Sequence, residues 1–326
     1  MSRVLTLLAG PSLTLALLPA GTAGAAPVTV PVGAPFTDTS GNPLHAHGGG
    51  VLKAGAYYYW FGENRNSDGT FRYVSAYRST DLRNWEFRNH VLTQSSAAEL
   101  QVANIERPRV IYNAATGRFV MWMHKENGRD YGEARAAVAV SDTVDGDYTY
   151  LRSFRPLGHM SRDITAFVDT DGAGYMISAA DENYDLHIYR LTADYTDVTT
   201  LARMWDGDHR EAPAMFKRDG VYFLLTSGAT GWQPNQARYA TATSITGPWS
   251  GWQDAGDSLT FGSQPAYVLP VQGTSGTSYA GGYLRLVARH SGKCADLPSS
   301  STANDVQFKQ YPCNGGQNQQ FTRTPL

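Results

Sequence analysis

The chain has 326 residues, 27 Lys plus Arg against 29 Asp plus Glu, 42% hydrophobic and 12% aromatic residues, and only 17% charged ones. Such a length allows at most two domains and a sizeable core, while a formal charge of -2 without any basic run excludes a polyanion-binding surface and hence a nucleic-acid partner. Low charge with 33 Gly, 19 Tyr and 7 Trp excludes a disordered or mainly helical chain and describes a turn-rich, aromatic-rich all-β protein.

The N-terminus reads as a secretory signal. Arg3 precedes an apolar run from Val4 to Leu18, broken by Gly10 and Pro11, and Ala23-Gly24-Ala25 supplies the small-x-small pattern of a signal peptidase site. Residues 1–25 are assigned to this signal, because the run falls short of the roughly 20 residues that span a bilayer. The expected location is extracellular, with no membrane attachment after cleavage. The only two cysteines, Cys294 and Cys313, lie close together near the C-terminus of this exported chain. A disulfide between them would contribute on the order of 3 kcal/mol.

A turn glycine followed by an aromatic-rich strand recurs along the chain. It appears at Gly55 before Tyr57-Tyr58-Tyr59-Trp60, at Gly117 before Phe119-Val120-Met121-Trp122, at Gly172 before Tyr175-Met176-Ile177, and at Gly220 before Tyr222-Phe223-Leu224. A weaker copy surrounds Gly273. Glycine supplies the positive φ of a tight hairpin, and the residues after it suit a pleated surface. With a period of about 50 to 60 residues built from strand and turn alone, the pattern predicts a five-bladed β-propeller, the fifth blade incomplete. A sandwich with coincidental hairpins is the alternative.

Counting back from each turn glycine along the preceding, innermost strand brings up a polar residue at nearly the same offset. Glu106 lies 11 before Gly117, Asp163 9 before Gly172, Glu211 9 before Gly220, Gln264 9 before Gly273 and His47 8 before Gly55. Inner strands converge on a propeller's axis, so these side chains should meet at one mouth of the channel. Carboxylates are costly to bury without a task, and three at one focus are a candidate acid/base site. Glycoside hydrolysis needs such a set, one carboxyl to protonate the leaving oxygen and a second group across the sugar ring. Tyr131 and Trp232 are candidate stacking surfaces for sugar, whereas Trp60 sits on a core-like strand. His45 and His47 point the same way on one strand, but no second-shell carboxylate accompanies them and no catalytic metal is expected. The structural alternatives are an ion pair of Glu211 with Arg107 or Arg210, and of Asp163 with Arg162. Asp169 and Asp171 read as turn formers.

Several motifs carry a family resemblance. Asn42-Pro43-Leu44-His45-Ala46-His47-Gly48-Gly49-Gly50, Tyr58-Tyr59-Trp60-Phe61-Gly62-Glu63, Glu106-Arg107-Pro108-Arg109, Ser161-Arg162-Asp163, Glu211-Ala212-Pro213-Ala214 and Gly262-Ser263-Gln264-Pro265, in this order and spacing, resemble glycoside hydrolase family 43, subfamily 24, the exo-β-1,3-galactanases. The resemblance covers roughly residues 28–280. It implies a five-bladed propeller that releases galactose from β-1,3-galactan, the arabinogalactan backbone, with inversion at the anomeric carbon. Glu211 matches the general acid and Asp163 the residue that raises and orients it. The wider family's Asp base at the start of the first blade is absent here, and the water-activating role falls to the positions of Gln264 and Glu106, with Gln264 expected to hold the water and Glu106 to tune the site or bind sugar. His47, Glu63 and Asn183 are candidate substrate contacts. No cofactor is implied, a structural Ca²⁺ is left open, and a monomer is expected.

From about Gly282 the character changes. Ser291-Gly292-Lys293-Cys294-Ala295-Asp296, Gln310-Tyr311-Pro312-Cys313 and Asn318-Gln319-Gln320-Phe321 resemble one repeat of a ricin-B-type lectin module, family 13 of the carbohydrate-binding modules. In that family sugar contacts an Asp, an aromatic and an Asn, matched by Asp296, Tyr311 and Asn318; the usual Trp of the closing motif is Phe321. The expected organisation is signal 1–25, propeller 26–281 and partial lectin repeat 282–326. Relatives carry further strands between the fifth hairpin and a lectin module, so either the propeller closes differently here or the reading is of a shortened gene. Other family activities, arabinofuranosidase or xylosidase, and a non-catalytic carbohydrate-binding protein are the competing functions.

Overall fold

Gly55, Gly117, Gly172 and Gly220 each turn the first hairpin of a meander of four antiparallel strands, as the hairpin pattern predicts. The computed structural model describes residues 36–231 and 233–271, with the short strand pieces 283–284, 294–296, 309–311 and 321–322. The first sheet runs through β1 (His47–Ala54), β2 (Tyr57–Arg65), β3 (Phe71–Ser79) and β4 (Glu86–Thr93). The second holds β5 (Asn104–Asn113), β6 (Arg118–Glu126), β7 (Arg135–Ser141) and β8 (Thr149–Phe154). The third holds β9 (Ser161–Val168), β10 (Gly174–Ala180), β11 (Asp185–Leu191) and β12 (Val198–Trp205). The fourth holds β13 (Arg210–Arg218), β14 (Val221–Gly228), β15 (Ala237–Ala242) and β16 (Gln253–Ala255). Gly55, Gly117, Gly172 and Gly220 each adopt the positive φ that their turns require, between +57° and +80°.

The core lies between successive sheets. Residues alternate along each strand, so one set faces the preceding blade and the other the next. Met121 and Met123 of β6 pack with Phe61 and Val74 of the first sheet, while Val120 and Trp122 of the same strand pack with Met176 and Tyr189 of the third. Tyr175, Ile177 and Ile188 in turn meet Met215, Tyr222 and Leu224 of the fourth. Strands covered on both faces are built mainly of apolar and small residues, as β10 is; it is buried throughout, and the hydroxyl of Ser178 is hydrogen-bonded. The outermost strands β4, β8 and β12 are the most exposed of their sheets.

The innermost strands β1, β5, β9 and β13 stand around a central channel. Residues 264–270 run along the same channel without joining a described sheet: Gln264 and Pro265 line one end of it and Val268 and Pro270 the other. Tyr267 and Leu269 pack against the face of the first sheet formed by Val51, Tyr58, Tyr77 and Trp85. The described residues thus build four four-stranded sheets; the hairpin expected around Gly273 lies outside them. Residues 1–25, Trp232, Cys313 and Asn318 also lie outside the described residues.

One compact unit spans Val28–Pro270, and a second takes Met1–Pro27 with Val271–Leu326. In the second, Tyr283–Leu284 pairs with Phe321–Thr322, and Cys294–Asp296 with Lys309–Tyr311, both antiparallel.

Trp122 ties two blades together. It is fully buried, and its indole N–H donates to the carbonyl of Tyr195 at 3.0 Å. Trp122→Ala is expected to destabilise the protein by about 3–5 kcal/mol, read as a lower midpoint in urea unfolding.

Candidate active site

The site grows from irregularities placed alike on the inner strands. The ladder with the second strand of each sheet skips between His47 and Gly50 in β1, between Glu106 and Arg109 in β5, between Ser161 and Ile164 in β9, and between Glu211 and Ala214 in β13. Such bulges bend a strand and re-aim its side chains. In three of them the next residue takes a left-handed φ: Gly48 at +61°, Arg107 at +52° and Ala212 at +52°. The conformation turns a backbone N–H toward a carboxylate. Arg107 N–H donates to Glu63 Oε1 at 3.0 Å, and Ala212 N–H to Asp163 Oδ2 at 3.0 Å. The glycines beside His47 have a steric cause as well, because a Cβ on Gly49 would lie 1.6 Å from the Phe61 carbonyl oxygen.

His47, Glu106, Asp163, Glu211 and Gln264 all line one cavity of about 450 Å³ at one end of the channel, together with Glu63, Tyr131 and Asn183. Its size falls within the roughly 300–1,000 Å³ of small-molecule sites. Everything that lines it belongs to the unit Val28–Pro270.

Two charge networks divide the carboxylates. In the first, positive and negative groups alternate: Arg65 donates to Glu63 Oε2 at 2.6 and 2.9 Å and to Glu106 Oε1 at 3.0 Å. His124 follows, with Nδ1 at 3.3 Å from Glu106 and Nε2 at 2.8 Å from Glu126. Tyr131 adds its hydroxyl to Glu106 at 2.7 Å. Burial pushes the Glu106 carboxyl up, but His124, Tyr131 and Arg65 outweigh it and hold the group at about 2. Burial likewise pulls the His124 imidazole down, and the carboxylates of Glu106 and Glu126 on either side raise it to about 9. Glu63 is thus engaged on all sides by the protein, with His47 Nδ1 also within 3.4 Å.

Arg107 organises the second network. Its Nε pairs with Asp163 Oδ1 at 2.8 Å, and its terminal nitrogens donate to the Pro265 carbonyl at 3.0 Å and to Gln264 Oε1. The amide of Gln264 donates to Glu211 Oε1 at 3.0 Å, and that of Asn183 to Glu211 Oε2 at 3.0 Å. Arg107 therefore serves Asp163 rather than Glu211, and Arg210 turns away to Thr226. Among the described residues Glu211 alone of the cavity's carboxyls has no ion pair. It is 5% exposed. Burial, and then the neighbouring Asp163 charge, raise it to about 7. At pH 7 that makes its acid form roughly a hundredfold more abundant than an ordinary glutamate's.

The remaining candidates differ in setting. His47 is exposed, with 64% of its side chain accessible, and Tyr131 offers a ring at the rim, 38% exposed. Asn183 lies in a turn where Asp181, Glu182 and Asn183 all have positive φ, and its Oδ1 has no hydrogen-bond partner. Trp60 stacks edge-on with Phe36 and Trp85 in the core. Of Asp296 and Tyr311 the backbone is described, on the paired strands Cys294–Asp296 and Lys309–Tyr311. Sequence reasoning missed Arg65, His124 and Glu126. The alternation His124-Lys125-Glu126 on a strand that follows Trp122 was the available signal, since it puts two titratable groups on one face of an otherwise apolar strand.

Two outcomes follow from these shifts. Glu211 should titrate near 7 by carboxyl ¹³C NMR, and Asp163→Asn should move the midpoint down, because a like charge is removed. His124 has a folded-state value above its unfolded one, so its stabilising contribution is complete below about 6.5 and is lost as pH rises toward about 9. Thermal unfolding should show Tm falling across that window, and His124→Asn should flatten the decline.

The family model described as "Glycosyl hydrolases family 43" matches residues 47–273, and that described as "Ricin-type beta-trefoil lectin domain-like" matches residues 268–326. An exo-β-1,3-galactanase from Clostridium thermocellum is 44% identical and superimposes with a TM-score of 0.76, covering 90% of this chain and 78% of that one. An exo-β-1,3-galactanase from Phanerochaete chrysosporium, solved with β-1,3-galactotriose, is 39% identical with a TM-score of 0.71, over 74% of this chain and 57% of its own. A family 43 β-1,3-galactosidase solved with galactodeoxynojirimycin is 38% identical with a TM-score of 0.70, over 74% of this chain and 87% of its own. A curated xylan 1,3-β-xylosidase from Vibrio sp. is 24% identical over 174 residues, 47% of this chain and 31% of that protein's length. The strands that build the cavity are the ones the family model matches, and the chain belongs to the glycosyl hydrolases of family 43, with a ricin-type lectin-like region after the catalytic one.

Proposed function

We propose that the chain is a secreted, exo-acting glycoside hydrolase that cleaves β-1,3-galactan with inversion and releases galactose, as in subfamily 24 of the family. The observation that carries the reading is the pairing of opposite carboxyls in one cavity: Glu211, without an ion pair among the described residues and raised to about 7, and Glu106, held ionised at about 2. Glu211 gives its proton to the glycosidic oxygen as the bond to the anomeric carbon breaks. Asp163 keeps that proton in place by its charge, and Ala212 N–H and Arg107 fix where Asp163 stands. Glu106 is too weak a base for the water. Its fixed negative charge instead stabilises the positive charge that develops on the ring, and its oxygens take sugar hydroxyls. Gln264, exposed at the mouth, holds the attacking water, whose proton passes to solvent.

His47, Tyr131 and Asn183 contact the terminal sugar in this reading, with Trp232 as a further stacking surface. Glu63 acts through Arg65 and the Arg107 backbone. No cofactor takes part in the chemistry. The segment from Gln264 onward supplies a fifth blade, a reading supported by its place along the channel and by the packing of Tyr267 and Leu269 on the first sheet. Asp296, Tyr311 and Asn318 bind carbohydrate in the lectin-like region, which the Cys294–Cys313 disulfide staples. The protein acts as a monomer on polysaccharide.

Incubating the protein with β-1,3-galactan and separating the products tests the activity. Free galactose is expected, first formed as the α anomer by ¹H NMR, and kcat/KM should fall as pH rises through about 7 with loss of the Glu211 proton. Glu211→Gln should lose turnover by at least about a thousandfold while still binding substrate. Xylose released from β-1,3-xylan, with no galactose from galactan, would sink the substrate assignment in favour of the xylosidase reading.

A further inference from the structure

Outside the substrate cavity, the third sheet gathers two imidazoles and a carboxylate at one point. His187 lies on β11, and 0% of its side chain is accessible. Its Nδ1 is hydrogen-bonded to the Tyr189 hydroxyl at 2.7 Å, but Nε2 has no hydrogen-bond partner; Asp185 Oδ2 stands 3.7 Å away. A bare polar nitrogen in a closed interior is costly, and in native proteins it calls for a partner. Facing this ring edge-on, at 4.7 Å between centroids, is His159, from the turn before β9. His159 Nδ1 lies 2.8 Å from Asp181 Oδ2. One ligand atom from each of His159, Asp181 and His187 falls within 4.8 Å of the others.

We propose that His159, Asp181 and His187 form a binding site for one divalent transition-metal ion of the zinc class, and that the bound ion holds the turn carrying Asn183. Three features argue for it. Metal bonds of about 2.0–2.2 Å in a tetrahedron put ligand atoms about 3.4 Å apart, so the cluster reaches that geometry by small side-chain movements. Two imidazoles and one carboxylate suit zinc, cobalt or nickel, whereas calcium and magnesium take oxygen donors. Tyr189 occupies the other nitrogen of His187, the arrangement by which proteins fix the orientation of a metal-ligating histidine. His159 and Asp181 keep 37% and 39% of their side chains accessible, which gives the ion a path in and a water in its fourth position.

The turn explains what the ion does. Asp181, Glu182 and Asn183 have φ of +46°, +60° and +65°, a run of left-handed residues that L side chains adopt only at a cost. A metal bond to Asp181 anchors one end of that run, and Asn183 at the other end donates to Glu211. None of the three ligands lines the substrate cavity, so the ion is structural and its binding stands apart from the substrate assignment.

The full-length protein, stripped with chelator and titrated with Co²⁺, should bind one equivalent with the visible d–d bands of a tetrahedral site, and Zn²⁺ but not Ca²⁺ should abolish them. His159→Ala and Asp181→Ala should each weaken binding by at least about tenfold, while His45→Ala, at an exposed position, changes nothing. Thermal melts check that the variants fold; added Zn²⁺ should raise Tm in the wild type and in neither variant. Hydrogen exchange should slow over residues 181–184 on Zn²⁺ addition. Absence of saturable Co²⁺ bands, or bands that survive in both variants, overturns the site. Unchanged exchange in the turn with the ion bound overturns its anchoring role.

Discussion

The site depends on one guanidinium. Arg107 reaches three partners from two distant parts of the chain: the Asp163 carboxylate, and the amide oxygen of Gln264 with the carbonyl of Pro265 beside it. By neutralising Asp163 it lets a second carboxylate stand beside Glu211, and by holding Gln264 it aims that amide's N–H groups at the same carboxyl. Arg107 reaches this position only because the backbone there is left-handed, and the Glu63 carboxylate holds the backbone that way by accepting its N–H. The cost of an unusual φ in a non-glycine residue is offset by a buried charge-assisted hydrogen bond.

The two networks solve opposite electrostatic problems with similar parts. Around Glu106 every neighbour that matters is cationic or a donor, and the carboxyl stays ionised although it is buried. Around Glu211 the nearest cation is spent on Asp163, the hydrogen-bond donors are neutral amides, and burial decides the outcome. The same residue type thereby keeps its proton to higher pH on one side of the cavity and stays a fixed anion on the other. That division is a property of the channel's end, where four inner strands bring their bulges together, and of the rigid interfaces between blades that fix those strands.

Much of this arrangement was legible in the sequence. The hairpin glycines announced the meanders because a tight turn leaves few alternatives to glycine, and the aromatic strands announced two-faced burial. The nearly constant offset from turn glycine to polar residue located His47, Glu106, Asp163, Glu211 and Gln264, since strand length sets where an inner strand begins relative to its turn. Partners were harder. Arg65 and Glu106 are 41 positions apart, and Asp163 and Ala212 are 49 apart; nothing local distinguishes Arg107 from Arg162 as the partner of Asp163. The alternative reading, an ion pair with the adjacent Arg162, is not realised: Arg162 donates to the Tyr131 carbonyl at 3.1 Å, and Arg107 takes Asp163.

The sequence by itself determined the all-β meander repeat and the identity of the residues at the channel's end, because turn chemistry and strand periodicity are local and act over a few residues. Only the tertiary structure decided which carboxyl holds a proton. Ionisation follows from burial and from charges brought in by other blades, and those distances exist only once the sheets have packed around a common axis.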